Sequence, residues 1–195
     1  GVGPNSAESK DEDSLKLSDE NAMPTYPVTI VNEKEIILVK HMPILTMPKY
    51  KLNPCIPDML NFTKMTLTAV SDLKIEHEEH GMVVWDEPVD VISLNIDKIV
   101  SFTHLNITVY PNNAEKPEFG CQLNKPATIT FYNCWPKKQT EKHIQKHFAK
   151  VKMSVEAMGA RLILYDHQHG KGTFHVNHFS NYNLAELDKH SSASD

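Results

Sequence analysis

The sequence is poor in cysteine and in positive charge, and it has no long apolar run. Only Cys55, Cys121 and Cys134 occur. They are an odd number without C-x-x-C spacing, so neither a disulfide framework nor a zinc ribbon is signalled, and a reducing compartment is expected. No apolar run approaches the roughly 20 residues that span a bilayer as a helix; a soluble protein without membrane insertion is expected. Lys and Arg number 20 against 25 Asp and Glu. Six of the acids (Glu8, Asp11, Glu12, Asp13, Asp19, Glu20) fall in residues 1–20 with two lysines, so the remainder is near neutral. A near-neutral body without a basic stripe argues against direct nucleic-acid binding. No repeat appears at any fixed period. Asn61-Phe62-Thr63 and Asn106-Ile107-Thr108 match the glycosylation sequon, but without a secretory signal they read as chance.

What is present is enough for one domain with tails: 195 residues, 22.1 kDa and 40% hydrophobic content can bury a core without staples. The chain opens Gly-Val-Gly-Pro without an initiator Met, which predicts a fragment of something longer. Residues 1–22 are rich in Ser, Asp, Glu and Lys without an apolar period, the composition of a disordered acidic linker. Residues 23–180 are then the folded domain and 181–195 a tail.

Within the domain, strands are predicted at Ile36–Val39, Leu73–Glu79, Met82–Asp86, Val89–Ile92, Val100–Tyr110, Pro126–Tyr132, Arg161–Tyr165 and Thr173–Phe179, with His80-Gly81 as a hairpin turn. In Val100–Tyr110 the alternation predicts that Thr103, Leu105, Ile107 and Val109 face the core. Pro43 to Pro48 reads as an extended piece punctuated by prolines. Pro54 and Pro57 lead into a helix at about Asp58–Lys64, and Asn95–Lys98 into a single helical turn. Ile144, Phe148, Val151, Val155 and Met158 form one face of a helix over Thr140–Met158 that Gly159 stops. Trp85, Trp135 and Phe148 are expected in the core. Many short strands with one substantial helix make an α+β fold: a mixed, mostly antiparallel, sandwich-like sheet flanked by two or more helices.

The last predicted strand runs into His178-Phe179-Ser180, which sets a hydroxyl beside a histidine at a domain edge. A serine can attack the carbonyl of the residue before it, here Phe179, and shift the acyl group from its own nitrogen to its own oxygen. Water then opens the ester. Ser180 is a poor nucleophile at its free pKa, and His178 can take and return a proton near neutrality. On a regular strand the two share a face. Backbone strain of about 1–3 kcal/mol is too little alone; general-base help adds about 10² to 10⁴ in rate and an oxyanion donor about 10² to 10³. Phe179 is expected to anchor the scissile bond in an apolar pocket.

Several stretches, taken in order, resemble the autoproteolytic domain of the GLFG-repeat nucleoporins. They are Val70-Ser71-Asp72-Leu73, His80-Gly81 with Met82 to Asp86, Leu94 to Val100, Val109-Tyr110, Lys116-Pro117 with Gly120, Leu123 to Thr130, Trp135-Pro136, Gly159-Ala160 and Phe174 to Ser180. The sequel Ser180 to Leu184 is similar too, so the resemblance spans about Ile36 to Leu184. Two departures stand out: the hairpin between Tyr165 and Phe174 is about two residues shorter than the family pattern, and Glu76 to Trp85 is poorer in glycine. The resemblance implies an α+β domain at the end of an FG-repeat segment, at the nuclear pore complex of the nuclear envelope, serving nucleocytoplasmic transport of protein and mRNA. It implies self-cleavage between Phe179 and Ser180, with Ser180 and His178 as the catalytic residues and no cofactor. Its partners would be other nucleoporins of the pore scaffold and its own cleaved tail. A non-cleaving docking module of the same fold remains as an alternative. A metal site built from His143 and His147 with His167 and His169, or His77 and His80, is a further one, against the plainer reading of a solvated histidine-rich surface.

Overall fold

A computed structural model describes Gly1, Gly3 and residues 41–189; the predicted linker and the predicted strand Ile36–Val39 lie outside the described residues. Six strands form one sheet in the order β1-β2-β3-β6-β8-β7: β1 (Tyr50–Asn53), β2 (Lys74–His77), β3 (Gly81–Trp85), β6 (Ala127–Phe131), β7 (Arg161–Asp166) and β8 (Lys171–Val176). A second sheet of three strands runs β4-β5-β9, with β4 (Val100–Thr103), β5 (Asn106–Val109) and β9 (Tyr182–Asn183). Every strand pairing is antiparallel; the parallel contact is an isolated bridge between Ile44 and Asn95. The fold is therefore α+β and mostly antiparallel, as the sequence predicts.

The inward faces of both sheets meet in one apolar cluster. Period-two alternation selects that face: in β8, Phe174 and Val176 are buried while Thr173 and His175 are half-buried. Phe131 and Phe174 pack edge to face at 5.3 Å. The sheets are joined where the Phe102 N–H of β4 donates to the Tyr50 hydroxyl of β1 at 2.8 Å, and where the Phe174 and Tyr182 rings meet at 6.1 Å. Gly81 opens β3 at φ 150°; a Cβ there would lie 2.1 Å from the Thr130 carbonyl oxygen, so the β3–β6 approach requires glycine.

Among the described residues five α-helices accompany the sheets: α1 (Ile56–Met59), α2 (Lys64–Leu67), α3 (Ile96–Ile99), α4 (Glu141–Ala157) and α5 (Glu186–Lys189). In α4 the Thr140 side chain caps the His143 N–H, and Gly159 follows the end at φ 76°. Val151 and Val155 are buried, whereas Phe148 at the N-terminal half is 43% exposed. No helix among the described residues is long and apolar enough to cross a membrane.

Five expectations need correction. The helix predicted over Asp58–Lys64 is two short ones, α1 and α2, because Thr63 leaves the helical path to accept the Thr66 N–H and cap the second. Val89–Ile92 is not a strand; Val89 makes an isolated bridge to Val70. Val100–Tyr110 is a hairpin turning at His104-Leu105, with Leu105 at φ 52°. The turn reverses the alternation, so Phe102 is buried and Thr103 exposed. The last strand ends at Val176 rather than Phe179. Trp85 is fully buried as expected, but Trp135 is 45% exposed and Phe148 is half open.

Candidate functional site

The backbone leaves β8 after the Val176–Ala127 pair, bends at Asn177 and His178, and reaches Phe179, which is fully buried. Its ring packs on Trp85 at 5.5 Å and on Tyr182 at 6.1 Å. The apolar pocket expected around Phe179 is therefore present. Ser180 and Asn181 are exposed, and the next residue, Tyr182, is 2% exposed and already paired with Ile107 of β5. The Phe179–Ser180 bond thus lies in a two-residue exposed span between an anchor among the strands of the large sheet and an anchor in the small one.

Asn124 closes the site from the loop before β6. Its Oδ1 accepts the Phe179 N–H at 3.1 Å, a buried hydrogen bond, and its Nδ2 donates to the Pro117 carbonyl at 3.0 Å. The same residue's carbonyl accepts the Gly120 N–H at 2.7 Å. Preceding Leu123 is held on both faces of its backbone. Its N–H donates to the Tyr110 hydroxyl at 3.1 Å, and its carbonyl accepts from the Trp85 indole at 3.0 Å. Burial pushes the Tyr110 phenol up to about 12, so its oxygen stays protonated and neutral near pH 7. Tyr110 and Gln122 both adopt left-handed backbone, at φ 59° and 48°, a conformation that non-glycine residues seldom take.

From the other side of the Phe179–Ser180 bond, the Tyr182 hydroxyl donates to the His178 carbonyl at 2.5 Å. Burial raises the Tyr182 phenol above its ordinary value, and the Ser180 side chain partly opposes that shift. His178 and Ser180 are both exposed, and no hydrogen bond joins the imidazole to the hydroxyl. Because β8 has already ended, the shared strand face predicted for the two does not exist. They stand two residues apart in a bend.

The residues missed at sequence level are Asn124, Tyr182, Trp85 and Tyr110 as supports of the bond. Asn124 and Tyr182 fall inside the stretches that carry the resemblance, but nothing in spacing assigns a contact across 55 residues.

The histidines weighed as metal ligands are engaged elsewhere. His143 Nδ1 lies 2.6 Å from the Thr140 hydroxyl, and His147 Nε2 is 3.9 Å from the Cys134 sulfur. The His167 Nδ1 meets Gln139 at 2.9 Å, His169 Nδ1 meets Asp166 at 2.7 Å, and His77 stacks on His80 at 4.4 Å. Among the described residues no group of three or more His, Cys, Asp or Glu side chains is arranged to hold a metal ion.

Comparison with known proteins bears on the same residues. The profile of the family described as Nup98-96 autopeptidase S59 matches residues 47–184. The nuclear pore complex protein Nup98-Nup96 of Caenorhabditis elegans is 34% identical over 158 residues, covering 74% of this chain and 9% of that protein. NUP96 of Arabidopsis thaliana is 33% identical over 159 residues, covering 80% of this chain and 15% of that protein. The chain thus spans a small part of the relatives it matches. Among solved structures, the Chaetomium thermophilum Nup145N autoproteolytic domain, a variant fused to the N-terminal part of Nup145C, superimposes with a TM-score of 0.62. It is 29% identical and covers 67% of this chain and 94% of that one. The chain belongs to the Nup98-96 autopeptidase S59 family.

Proposed function

We propose that this domain cleaves its own chain between Phe179 and Ser180 and then serves as a docking module of the nuclear pore complex at the nuclear envelope. The observation that carries the proposal is the placement of that one peptide bond. Phe179 on one side is buried and hydrogen-bonded through its N–H to Asn124, Tyr182 on the other side is buried in β9, and the nucleophile is exposed between them. In the reaction the Ser180 Oγ bonds to the Phe179 carbonyl carbon and the carbon–nitrogen bond to Ser180 breaks. The hydroxyl proton passes by way of His178 to the Ser180 nitrogen, which becomes a free amine. Water then adds to the ester, leaving a carboxylic acid on Phe179 and the hydroxyl restored on Ser180. Positioning is the main supply of rate here, because nucleophile and carbonyl belong to adjacent residues. His178 as general base contributes about 10² to 10⁴.

After one turnover in cis no activity toward other substrates is expected, and the lasting role is binding. The family's relatives are nuclear pore proteins, and a yeast Nup116 domain solved in complex with Nup82 and Nup159 shares the fold at 23% identity and a TM-score of 0.61. Other nucleoporins are therefore the expected partners, supporting nucleocytoplasmic transport, together with the chain's own downstream segment. The test is the intact mass of the wild-type chain and of Ser180→Ala under denaturing conditions, which release a bound tail. The expected result is loss of residues 180–195 from the wild type alone. A wild type that stays whole leaves a docking module that does not cleave.

A further inference from the structure

The peptide unit just before the scissile bond is gripped at both ends, and the two grips come from opposite sides of the bond. Its N–H, that of Phe179, donates to Asn124 Oδ1 at 3.1 Å. Its carbonyl, that of His178, accepts from the Tyr182 hydroxyl at 2.5 Å. The Phe179 ring is set between Trp85 and Tyr182. With one peptide plane and the side chain fixed, rotation about the Phe179 Cα–C bond is the remaining freedom that turns the scissile carbonyl toward or away from Ser180. Tyr182 is itself fixed, because its backbone pairs with Ile107 and the following Leu184 N–H donates to the Leu105 carbonyl at 2.7 Å.

We infer that Tyr182 is a positioning residue for the self-cleavage: its hydroxyl locks the His178–Phe179 peptide so that the Phe179 carbonyl is presented to Ser180. The inference rests on the self-cleavage reading of the site. It makes the small sheet part of the reacting geometry, because β5 sets where the tyrosine stands. The alternative for the same hydroxyl is to accept the Ser180 proton, and the two roles differ in their pH signature. A positioning donor changes the rate and leaves its pH dependence alone, whereas a proton acceptor shapes the pH dependence itself.

The experiment compares wild type and Tyr182→Phe. The phenylalanine keeps the ring and the strand pairing and removes the donor. Each chain is purified uncut in denaturant, refolded by dilution, quenched at intervals and weighed, across a pH series. Both are also melted in a Ser180→Ala background. The expected result is cleavage slowed about 10- to 100-fold, a pH–rate profile of unchanged shape, and a fold still fully populated at the assay temperature. Equal rates for the two chains overturn the inference while the self-cleavage reading stands. A profile of changed shape, or a Tyr182→Phe chain that is itself partly unfolded in the Ser180→Ala background, overturns it too. A wild type that refolds and stays whole overturns the reading and the inference together.

Discussion

The two sheets differ in how they relate to the Phe179–Ser180 bond. All six strands of the large sheet lie upstream of it, from Tyr50 to Val176, while the small sheet takes β4 and β5 from upstream and β9 from downstream. Opening the bond would leave the large sheet covalently whole and the small one built from two chains. The downstream piece is not a loose tail up to Lys189: Tyr182 and Leu184 are buried at 2% and 1% exposure, and Leu187 at 9%. Both sheets contribute to one apolar core, but it is the small sheet that is assembled across the bond.

The largest effect that sharpens this comparison is at Phe179. Its ring is fully buried against Trp85 and Tyr182, so Phe179→Ala in an uncut Ser180→Ala background should cost about 3–5 kcal/mol in urea unfolding. Leu184→Ala should cost about 2–5 kcal/mol in the same background. In a cut chain the two should part company. Loss of the Leu184 side chain then appears as faster release of the 180–195 piece, read by size-exclusion and mass, with little change in the melting of the body. If, in the cut complex, Leu184→Ala lowers the melting of the body as much as it does in the uncut chain, the two sheets are not separable and the comparison fails.

A smaller effect is expected at Asn124, which belongs to the large-sheet side. Asn124→Ala leaves the buried Phe179 N–H without its acceptor and frees the Pro117 carbonyl, at a cost of about 1–3 kcal/mol. Self-cleavage should slow as well, measured by the same refolding time course, because one end of the peptide grip is gone. Cleavage at the wild-type rate would show that the Tyr182 grip alone fixes the bond.

Most strands were legible in the sequence because the face they bury follows a simple period. β2, β3, β6 and β7 fall within a residue or two of their expected bounds, and the helix over Glu141–Ala157 follows from its four-three spacing. The errors trace to local capping and turn geometry at Thr63 and Leu105, and to tertiary context at Trp135 and Phe148. The His104-Leu105 turn breaks an alternation that was unbroken on paper, since a left-handed leucine lets the chain reverse without glycine. Ser180, Phe179 and His178 were legible as the proposed reacting set by residue type, and that proposal rested on the resemblance as much as on the chemistry. Asn124 and Tyr182 were not, because their roles depend on a hydrogen bond from a distant loop and on a strand of two residues that acquires meaning only when paired to β5.

The smallest expected effect is one of pH. Burial lowers the His147 pKa below its ordinary value, with Asp188 opposing and Lys150 assisting, and burial lowers that of His80 beside the stacked His77, with Glu79 opposing. A histidine whose folded pKa is depressed binds its proton more readily in the unfolded chain. Its contribution to stability is complete above the unfolded pKa and is lost as pH falls through the folded one. The urea midpoint of Ser180→Ala should therefore drop between pH 7 and pH 5, and His147→Gln should flatten part of that drop. His147 lines a cleft with Leu187 and Asp188 of the downstream segment, whereas His80 sits at the β2–β3 turn of the large sheet. In a cut and tail-free body, removal of Leu187 opens the His147 environment to solvent while removal of Asp188 takes away the charge that opposes the burial, so the His147 share of the pH dependence should change while that of His80 persists. An unchanged His147 share after tail removal would mean that β6, β7 and α4 bury it unaided, and that the downstream segment leaves the large-sheet side of the molecule untouched.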